Sequence, residues 1–230
     1  MKERTLKLAM GILLLAGMFL LARKGAEVTF SSHEDADRTK AVIVIDPGHG
    51  GSDPGKIGVH QEKEKDINLQ ISYFLKEELE NKGVEVVMTR KTDRDLSKEG
   101  AKNKKASDLQ NRCKIIEQTA PDCVLSVHQN SYHQPDIKGA QTFYYTGSQE
   151  GKKLAEMIQL SMKEQLDREN HRMAKENDSY YMLKKTKVPV VIVECGFLSN
   201  PGEAVLLSEK EYQRKIAKAV SSAVTEYLGL

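Results

Sequence analysis

The feature that most constrains the fold is a short uninterrupted apolar run, Ala41–Asp46 (AVIVID), which is polar only at its last residue. A run of this length and composition is typical of a strand buried on both faces, as in parallel sheets covered by helices. Pro47 and the glycines after it end the strand at once. The sequence therefore requires amphipathic helices that cover both faces of a sheet.

The rest of the chain supplies them, because helix-like and strand-like segments alternate. Helices are predicted over Asn68–Lys82, Asp108–Thr119, Glu150–Leu166 and Ser208–Tyr227, and strands over Val84–Thr89, Cys123–His128, Ala140–Thr146, Tyr180–Leu183 and Val188–Glu194. Ser208 and Glu211 are spaced as a capping box for the last helix, and Asp66 or Asn68 as a cap for the first. This pattern predicts an α/β fold over residues 41–230, a single three-layer αβα domain with a mainly parallel twisted sheet.

Composition limits the class of protein. Charged residues make up 30% of the 230 residues and hydrophobic residues 39%, which excludes a multi-span membrane protein and a disordered chain. Residues 24–230 carry 31 basic and 32 acidic side chains, so they lack the cationic surface that nucleic-acid binding needs. Cys113, Cys123 and Cys195 are too few and too scattered for a disulfide framework, and we expect buried free thiols.

The N-terminus is typical of a targeting segment. Lys2, Arg4 and Lys7 precede the 15 uncharged residues Leu8–Ala22. This pattern predicts a signal peptide or signal anchor in residues 1–24, and the poor cleavage site at Ala22 favours the uncleaved anchor. A polar linker follows over residues 25–40. The positive charges before the apolar run predict that the body is exported and stays tethered to, or is released from, the outer side of the membrane.

Polar side chains stand where three of the predicted strands end. His49 lies in the rigid loop DPGHGGSDPG after the first strand, His128 ends the third strand, and Glu194 ends a late one. Ligands of such sheets bind at the carboxyl ends of the strands, so we expect these residues to converge. We also expect Asp46 to orient the His49 ring through its second nitrogen. The alternatives without a function are that His49 is a solvated loop residue and that Glu194 belongs to a structural ion pair.

Two histidines and a glutamate form a common catalytic zinc set, which leaves one position for water. The first glutamate is Glu64 or its rival Glu62, and His133 competes less well with His128, because its loop predicts a solvated side chain. Glu194 lies among apolar residues, where a raised carboxyl pKa suits a general base. Zinc would lower the pKa of the water and polarise a carbonyl. The residues thus favour metal-assisted hydrolysis of an amide.

Other polar features carry less weight. Gly50, Gly55 and Lys56 approach a phosphate loop, but Ile57 stands where the magnesium-binding hydroxyl belongs. Arg90 is interpreted as a structural ion-pair residue, with substrate binding as the alternative. The cleft walls are predicted, from position alone, in Asp93–Ser107 and Asn170–Ser179.

The ordered motifs IDPGHGGSDPG, EKDINL, SVHQN and VECGFLSN resemble those of zinc-dependent N-acetylmuramoyl-L-alanine amidases of the type-3 amidase family, from about Ala41 to Leu230. The resemblance implies a phosphorylase/hydrolase-like fold and cleavage of the amide between N-acetylmuramic acid and L-alanine in peptidoglycan. It implies that His49, Glu64 and His128 bind zinc and that Glu194 is the catalytic base. It favours Glu64 over Glu62, because Glu64 lies within EKDINL.

A narrower resemblance, to the germination-specific (CwlD-type) amidases of the spore cortex, is carried by Asp108-Leu109 with Arg112, by Asp122–Asn130 and by Gly139–Tyr145. It implies a role in forming muramic-δ-lactam during sporulation, in the space between the forespore membranes. An accessory protein at the membrane is compatible with that role. Two alternatives remain: another zinc hydrolase of the wall, such as a peptidase or deacetylase, and a catalytically silent, membrane-tethered wall-binding protein.

Overall fold

The computed structural model describes residues 40–230. The predicted N-terminal anchor and the linker up to residue 39 lie outside the described residues. Within them, one sheet contains β1 (Val42–Pro47), β2 (Glu85–Met88), β3 (Cys123–Asn130), β4 (Gln141–Tyr145), β5 (Lys175–Asn177) and β6 (Val190–Phe197). The strand order is β2-β1-β3-β6-β4-β5, and the β4–β6 pair alone is antiparallel among the neighbouring strands of this sheet. The mainly parallel sheet is therefore confirmed.

Helices cover both faces of the sheet, as the apolar strands require. They are α1 (Glu64–Glu80), α2 (Lys104–Thr119), α3 (Gln149–Gln165), α4 (Tyr181–Lys185), α5 (Pro201–Ser208) and α6 (Lys210–Leu228). One apolar cluster joins α1, α3, α5 and α6 to side chains such as Ile43 and Leu125, and a second joins α2 and α4 to Val44 and Val124. Neighbouring residues of one strand thus belong to opposite clusters, which confirms the three-layer αβα domain. Between residues 40 and 230, the structure contains no helix with the length and apolar character needed to cross a membrane.

The first two helices begin four residues earlier than predicted. The start of α1 is Glu64 rather than Asn68, and Lys63 precedes it without a side-chain cap, so neither Asp66 nor Asn68 caps the helix. The start of α2 is Lys104, where the Asn103 side chain accepts a hydrogen bond from the backbone of the first turn. Both first turns consist mainly of charged and polar residues, which add little to an apolar pattern even where, as with Glu64 and Lys65, they are buried. The earlier start places Glu64 in the first turn of a helix.

Two other predictions near the chain's end were wrong. Tyr180–Leu183 is not a strand: Met182 and Leu183 pack into the core as part of helix α4, and the strand beside β4 is the short polar segment Lys175–Asn177. The capping box does not form either. Ser208 ends α5 and its hydroxyl donates to the carbonyl of Ala204 (2.9 Å), while α6 begins at Lys210.

Candidate metal centre

Three strands deliver the predicted polar residues to one edge of the sheet. Pro47, at the end of β1, pairs with Val127 of β3, and His128 pairs with Glu194 of β6. His49 lies two residues beyond the end of β1. The convergence that the sequence predicts therefore follows from the strand register itself.

His49, Glu64 and His128 form a compact group whose candidate ligand atoms all lie within 4.8 Å of one another. Nε2 of His49 is 3.2 Å from Oε2 of Glu64, and Nδ1 of His128 is 2.9 Å from Oε1. The rivals lie elsewhere. Glu62 accepts a hydrogen bond from the backbone of the loop before α1, and His133 is exposed against the ring of Tyr132.

Glu64 is buried and every contact to it favours the charged carboxylate. The backbone N–H of Lys56 donates to Oε2 (2.7 Å), and that of Gln129 donates to Oε1 (3.2 Å). Burial by itself would raise the pKa of Glu64, but the bonds and charges of His128 and His49 outweigh it and hold the pKa far below its usual range. Glu64 is therefore ionised and ready to bind a cation.

The partner that orients the His49 ring is Asp53, not Asp46 as predicted. Nδ1 of His49 is 2.9 Å from Oδ2 of Asp53, which leaves Nε2 directed at Glu64. Asp46 is buried beneath the loop and accepts hydrogen bonds from Thr89 (2.6 Å), Ser126 (2.8 Å) and Arg112 (2.7 Å). These partners occupy both of its oxygens, so it has no means of reaching the ring.

Arg90 is too buried to contact a substrate and, within residues 40–230, forms no ion pair, contrary to both interpretations of the sequence. Its guanidinium is 1% exposed and donates to backbone carbonyls, including those of Pro47 (2.9 Å), Gly48 (3.0 Å) and Lys65 (2.7 Å). Carbonyl acceptors leave no trace in a sequence, because every residue carries one.

Glu194 lies in contrasting surroundings to those of Glu64. Its side chain is buried, and its Oε2 finds no hydrogen-bond donor in the part of the chain that the structure describes. Burial raises the pKa of Glu194 to about 7, with the histidines opposing and Glu64 adding to the rise. A carboxyl group with this pKa can both accept and release a proton near neutral pH.

These four residues line one cavity of about 390 Å³. Lys105 lines it as well, so the predicted wall Asp93–Ser107 contributes in part. Asn170–Ser179, the other predicted wall, does not line it, and the wall is formed instead by the adjacent residues Tyr180, Tyr181 and Met182. The sequence pattern favours a strand over Tyr180–Leu183, so these residues were not expected in the wall. The pair of neighbouring tyrosines was the available signal, since tyrosines are frequent at binding surfaces.

The cysteines take no part in the site. Cys113, Cys123 and Cys195 are free thiols, as predicted, but only Cys123 and Cys195 are fully buried and Cys113 is half-buried; burial raises the pKa of each of them. Cys195 is fully enclosed next to Glu194, and its thiol contacts the carbonyl of Val193 (3.7 Å). A buried thiol with a raised pKa is not a nucleophile.

The donor set of the cluster fits zinc. Two imidazole nitrogens and one carboxylate are the protein ligands of many catalytic zinc sites, which keep a fourth position open. The carboxylate of Asp53 on the far ring nitrogen of His49 is the support that metal-binding histidines usually have. The cavity in front of the cluster would give a substrate access to a metal held by these residues.

Comparison with known proteins gives consistent matches over most of the described residues. A family model described as N-acetylmuramoyl-L-alanine amidase matches residues 43–226. The chain is 36% identical over 189 residues to the germination-specific N-acetylmuramoyl-L-alanine amidase of Bacillus subtilis, covering 81% of this chain and 79% of that one. Two solved structures are similar. The CwlD amidase of Clostridioides difficile, solved with the GerS lipoprotein, matches at 39% identity and a TM-score of 0.80, over 83% of this chain and 99% of that chain. AmiC2 of Nostoc punctiforme matches at 30% identity and 0.72, over 83% and 98%.

Proposed function

This chain belongs to the N-acetylmuramoyl-L-alanine amidase family, and we propose that it hydrolyses peptidoglycan with zinc held by His49, Glu64 and His128 and with Glu194 as the catalytic base. The bond cleaved joins the lactyl group of N-acetylmuramic acid to the L-alanine of the stem peptide. The observation that carries the proposal is the presence of the three-residue cluster and a buried, incompletely bonded carboxylate in one cavity.

The proton transfers fall to Glu194. When bound, zinc supplies a Lewis acid that polarises the scissile carbonyl and makes water a better nucleophile. Glu194 accepts the proton of the attacking water on its free oxygen and then delivers it to the nitrogen of the departing L-alanine. The water's oxygen stays on the lactyl carboxylate and the peptide leaves as an amine. A pKa near 7 suits both halves of this transfer.

Zinc is favoured over harder cations because two of the three ligands are imidazoles. Magnesium and calcium prefer sites made of oxygen ligands. The partners of Glu64 and His49 hold these two ligands in place from behind, so the site is organised before a metal arrives.

The cellular setting is part of the same proposal. Residues 1–24 would anchor or export the chain, residues 25–40 would serve as a linker, and residues 41–230 would act on peptidoglycan outside the membrane. A role in the spore cortex, leading to muramic-δ-lactam, is supported by the germination-specific relative. An accessory membrane protein is supported by the lipoprotein bound to the similar CwlD amidase.

Mass spectrometry of the products tests the reaction. The full chain, supplied with zinc, is incubated with defined muropeptides, and release of an intact stem peptide that begins with L-alanine is expected. Glu194→Ala should still bind zinc but release no peptide. Glu203→Gln is the control, because Glu203 is a half-buried carboxylate that lies outside the cavity.

Other products would redirect the proposal. Shortened stem peptides would indicate a peptidase, and acetate would indicate a deacetylase. Binding to peptidoglycan without any product, in the presence of bound zinc, would favour a wall-binding protein. Failure of the chain to bind zinc would contradict the ligand assignment.

A further inference from the structure

Two buried arginines hold the backbone of the loop that carries His49. Arg112 donates to the carbonyls of Pro47 (2.7 Å) and His49 (2.6 Å), while Arg90 donates to those of Pro47 (2.9 Å) and Gly48 (3.0 Å). Three consecutive carbonyls are thus occupied by two side chains that are each 1% exposed. Neither arginine lines the cavity, so neither can touch a substrate there.

Burying two guanidinium groups side by side is costly. Asp46 and Asp108 compensate Arg112, each at 2.7 Å, and raise its pKa despite burial. Arg90 has no carboxylate within ion-pair distance among the described residues, and burial together with the charge of Arg112 lowers its pKa to about 10. A hydrophobic residue would fill this space at a smaller cost in desolvation. The two arginines are therefore explained by the loop, which needs their N–H donors to hold its backbone in place.

That need is visible in the backbone of His49. Its φ angle is 61°, in the left-handed region, where the backbone of a residue with a side chain is roughly 1–2 kcal/mol less stable than in the right-handed region. Such a conformation persists only where the surroundings hold it. Asp53 holds the ring of His49, whereas Arg112 holds the main-chain carbonyl of His49.

We propose that Arg112 and Arg90 are positioning residues of the metal centre, which fix the main chain of Pro47–His49 so that Nε2 of His49 stays directed at Glu64. Arg112 holds the strained peptide of His49. Arg90 spans from Gly48 to the carbonyl of Lys65 (2.7 Å), in the first turn of α1, and so ties the His49 loop to the helix that carries Glu64. The inference rests on the proposed metal site.

Arg112→Lys tests the proposal in the full chain. Lysine keeps the charge beside Asp46, but its single nitrogen cannot replace a planar fork that serves Asp108, Asp46, Pro47 and His49 together. We expect the affinity for Zn²⁺ to fall about 10–100-fold, the range for losing the support of a metal ligand. The visible absorption of bound Co²⁺ should change, since it reports ligand geometry. With saturating zinc, kcat should fall while KM stays, because the cavity walls are intact.

Arg172→Lys is the matched control. Arg172 also donates to a carbonyl, that of Lys138 (2.8 Å), and to the side chain of Gln141 (3.1 Å), away from the cavity. We expect it to lower the melting temperature of the metal-free chain without changing zinc affinity or the Co²⁺ spectrum. An equal loss of zinc affinity in this control would overturn the proposal, as would an unchanged affinity and spectrum in Arg112→Lys.

Arg90→Lys decides the matter if Arg112→Lys does not fold. This variant should also weaken zinc binding, because the tie between Gly48 and Lys65 is lost, and a wild-type zinc affinity would contradict the proposal. The wild-type chain separates the two hypotheses: its failure to bind zinc would refute the proposed metal site, whereas a difference in outcome among the arginine variants bears on positioning alone.

Discussion

The two buried carboxylates of the cavity lie in opposite surroundings. Glu64 uses both oxygens, facing two histidines and accepting from the backbone of Lys56 and Gln129. Glu194, which lies within β6 opposite His128 of β3, has an oxygen without any donor among the described residues. The first pKa is held far below its usual range, and the second is raised to about 7. One carboxylate is arranged to stay charged and the other to change its charge.

This contrast supports the proposed roles of the two carboxylates better than residue type does. Environments that push the pKa values of two acids apart separate the permanent charge from the proton carrier. Both oxygens of the carboxylate on the His49 and α1 side of the cavity thus have partners, while the carboxylate on the β6 side keeps one oxygen without a donor among the described residues. An unpaired buried polar atom lowers the stability of the folded state, and proteins retain such atoms mainly at functional sites.

The largest expected effect comes from replacing Glu194 in the metal-free chain. Its folded pKa of about 7 lies above the ordinary value of 4.5, so the folded state keeps a proton that the unfolded state releases. The free energy of unfolding therefore falls as pH rises from 4.5 to 7 and then levels off. Glu194→Gln removes this loss, and the variant should gain on the order of 3 kcal/mol relative to wild type between pH 4.5 and pH 8. Urea denaturation across that range measures it.

Glu203→Gln is the control for this effect. Burial raises the pKa of Glu203 as well, but its two oxygens accept from the backbone N–H groups of Phe197 (2.7 Å) and Gly139 (2.9 Å). Gln has one acceptor oxygen, so this variant loses one of the two bonds and turns an NH₂ group toward that donor. We expect this variant to lose stability at pH 8. If the free energy of unfolding of wild type and of Glu194→Gln changed with pH in the same way, the pKa of Glu194 would not be raised. The contrast between the two carboxylates would then disappear.

The second effect concerns the side of the cavity that carries the proposed metal ligands. A Cβ added at Gly48 would stand 2.2 Å from Cε1 of the His128 ring, far inside van der Waals contact. Gly48→Ala should displace that ring and weaken zinc binding about 100-fold, the upper end for disturbed support of a ligand. Competition with a chromophoric chelator measures it. Gly202→Ala, where the nearest atom is the side-chain oxygen of Asn200 at 3.4 Å, should bind zinc normally. Normal binding by Gly48→Ala would mean that His128 does not hold the metal.

The fold was largely predictable because the apolar strands and amphipathic helices alternate plainly. The helix at Tyr181–Lys185 was not, since its residues favour a strand locally and packing of Met182 and Leu183 overrides that preference. The edge strand Lys175–Asn177 was equally hidden, because it is polar and exposed and leaves no apolar pattern.

The convergence of His49, Glu64, His128 and Glu194 on one cavity was predictable, but the contacts that hold these side chains were not. Asp46 and Asp53 both lie in the motif around His49, and sequence spacing does not decide between them. The loop turns back through paired backbone bonds between Gly50 and Asp53 (3.0 and 3.1 Å), and this turn brings the later carboxylate to the ring. The roles of Arg90 and Arg112 were hidden for a similar reason, since carbonyl acceptors have no sequence signature.

The smallest of the three effects concerns the support of the proposed ligand His49 and leaves Glu194 unchanged. Asp53 accepts from the His49 ring through Oδ2 and from the backbone of Gly55 through Oδ1 (3.1 Å). Asn has one acceptor oxygen, so Asp53→Asn turns an NH₂ group toward one of these donors and removes the negative charge behind the ring. Zinc affinity should fall about 10-fold, the lower end of the range for such supports, because the main chain of His49 stays held by Arg112. The stability profile between pH 4.5 and 8 should keep the shape set by Glu194. Asp66→Asn, an exposed acid in the first turn of α1, should change neither quantity. Undiminished zinc binding by Asp53→Asn would show that the backbone contacts alone hold His49 in place.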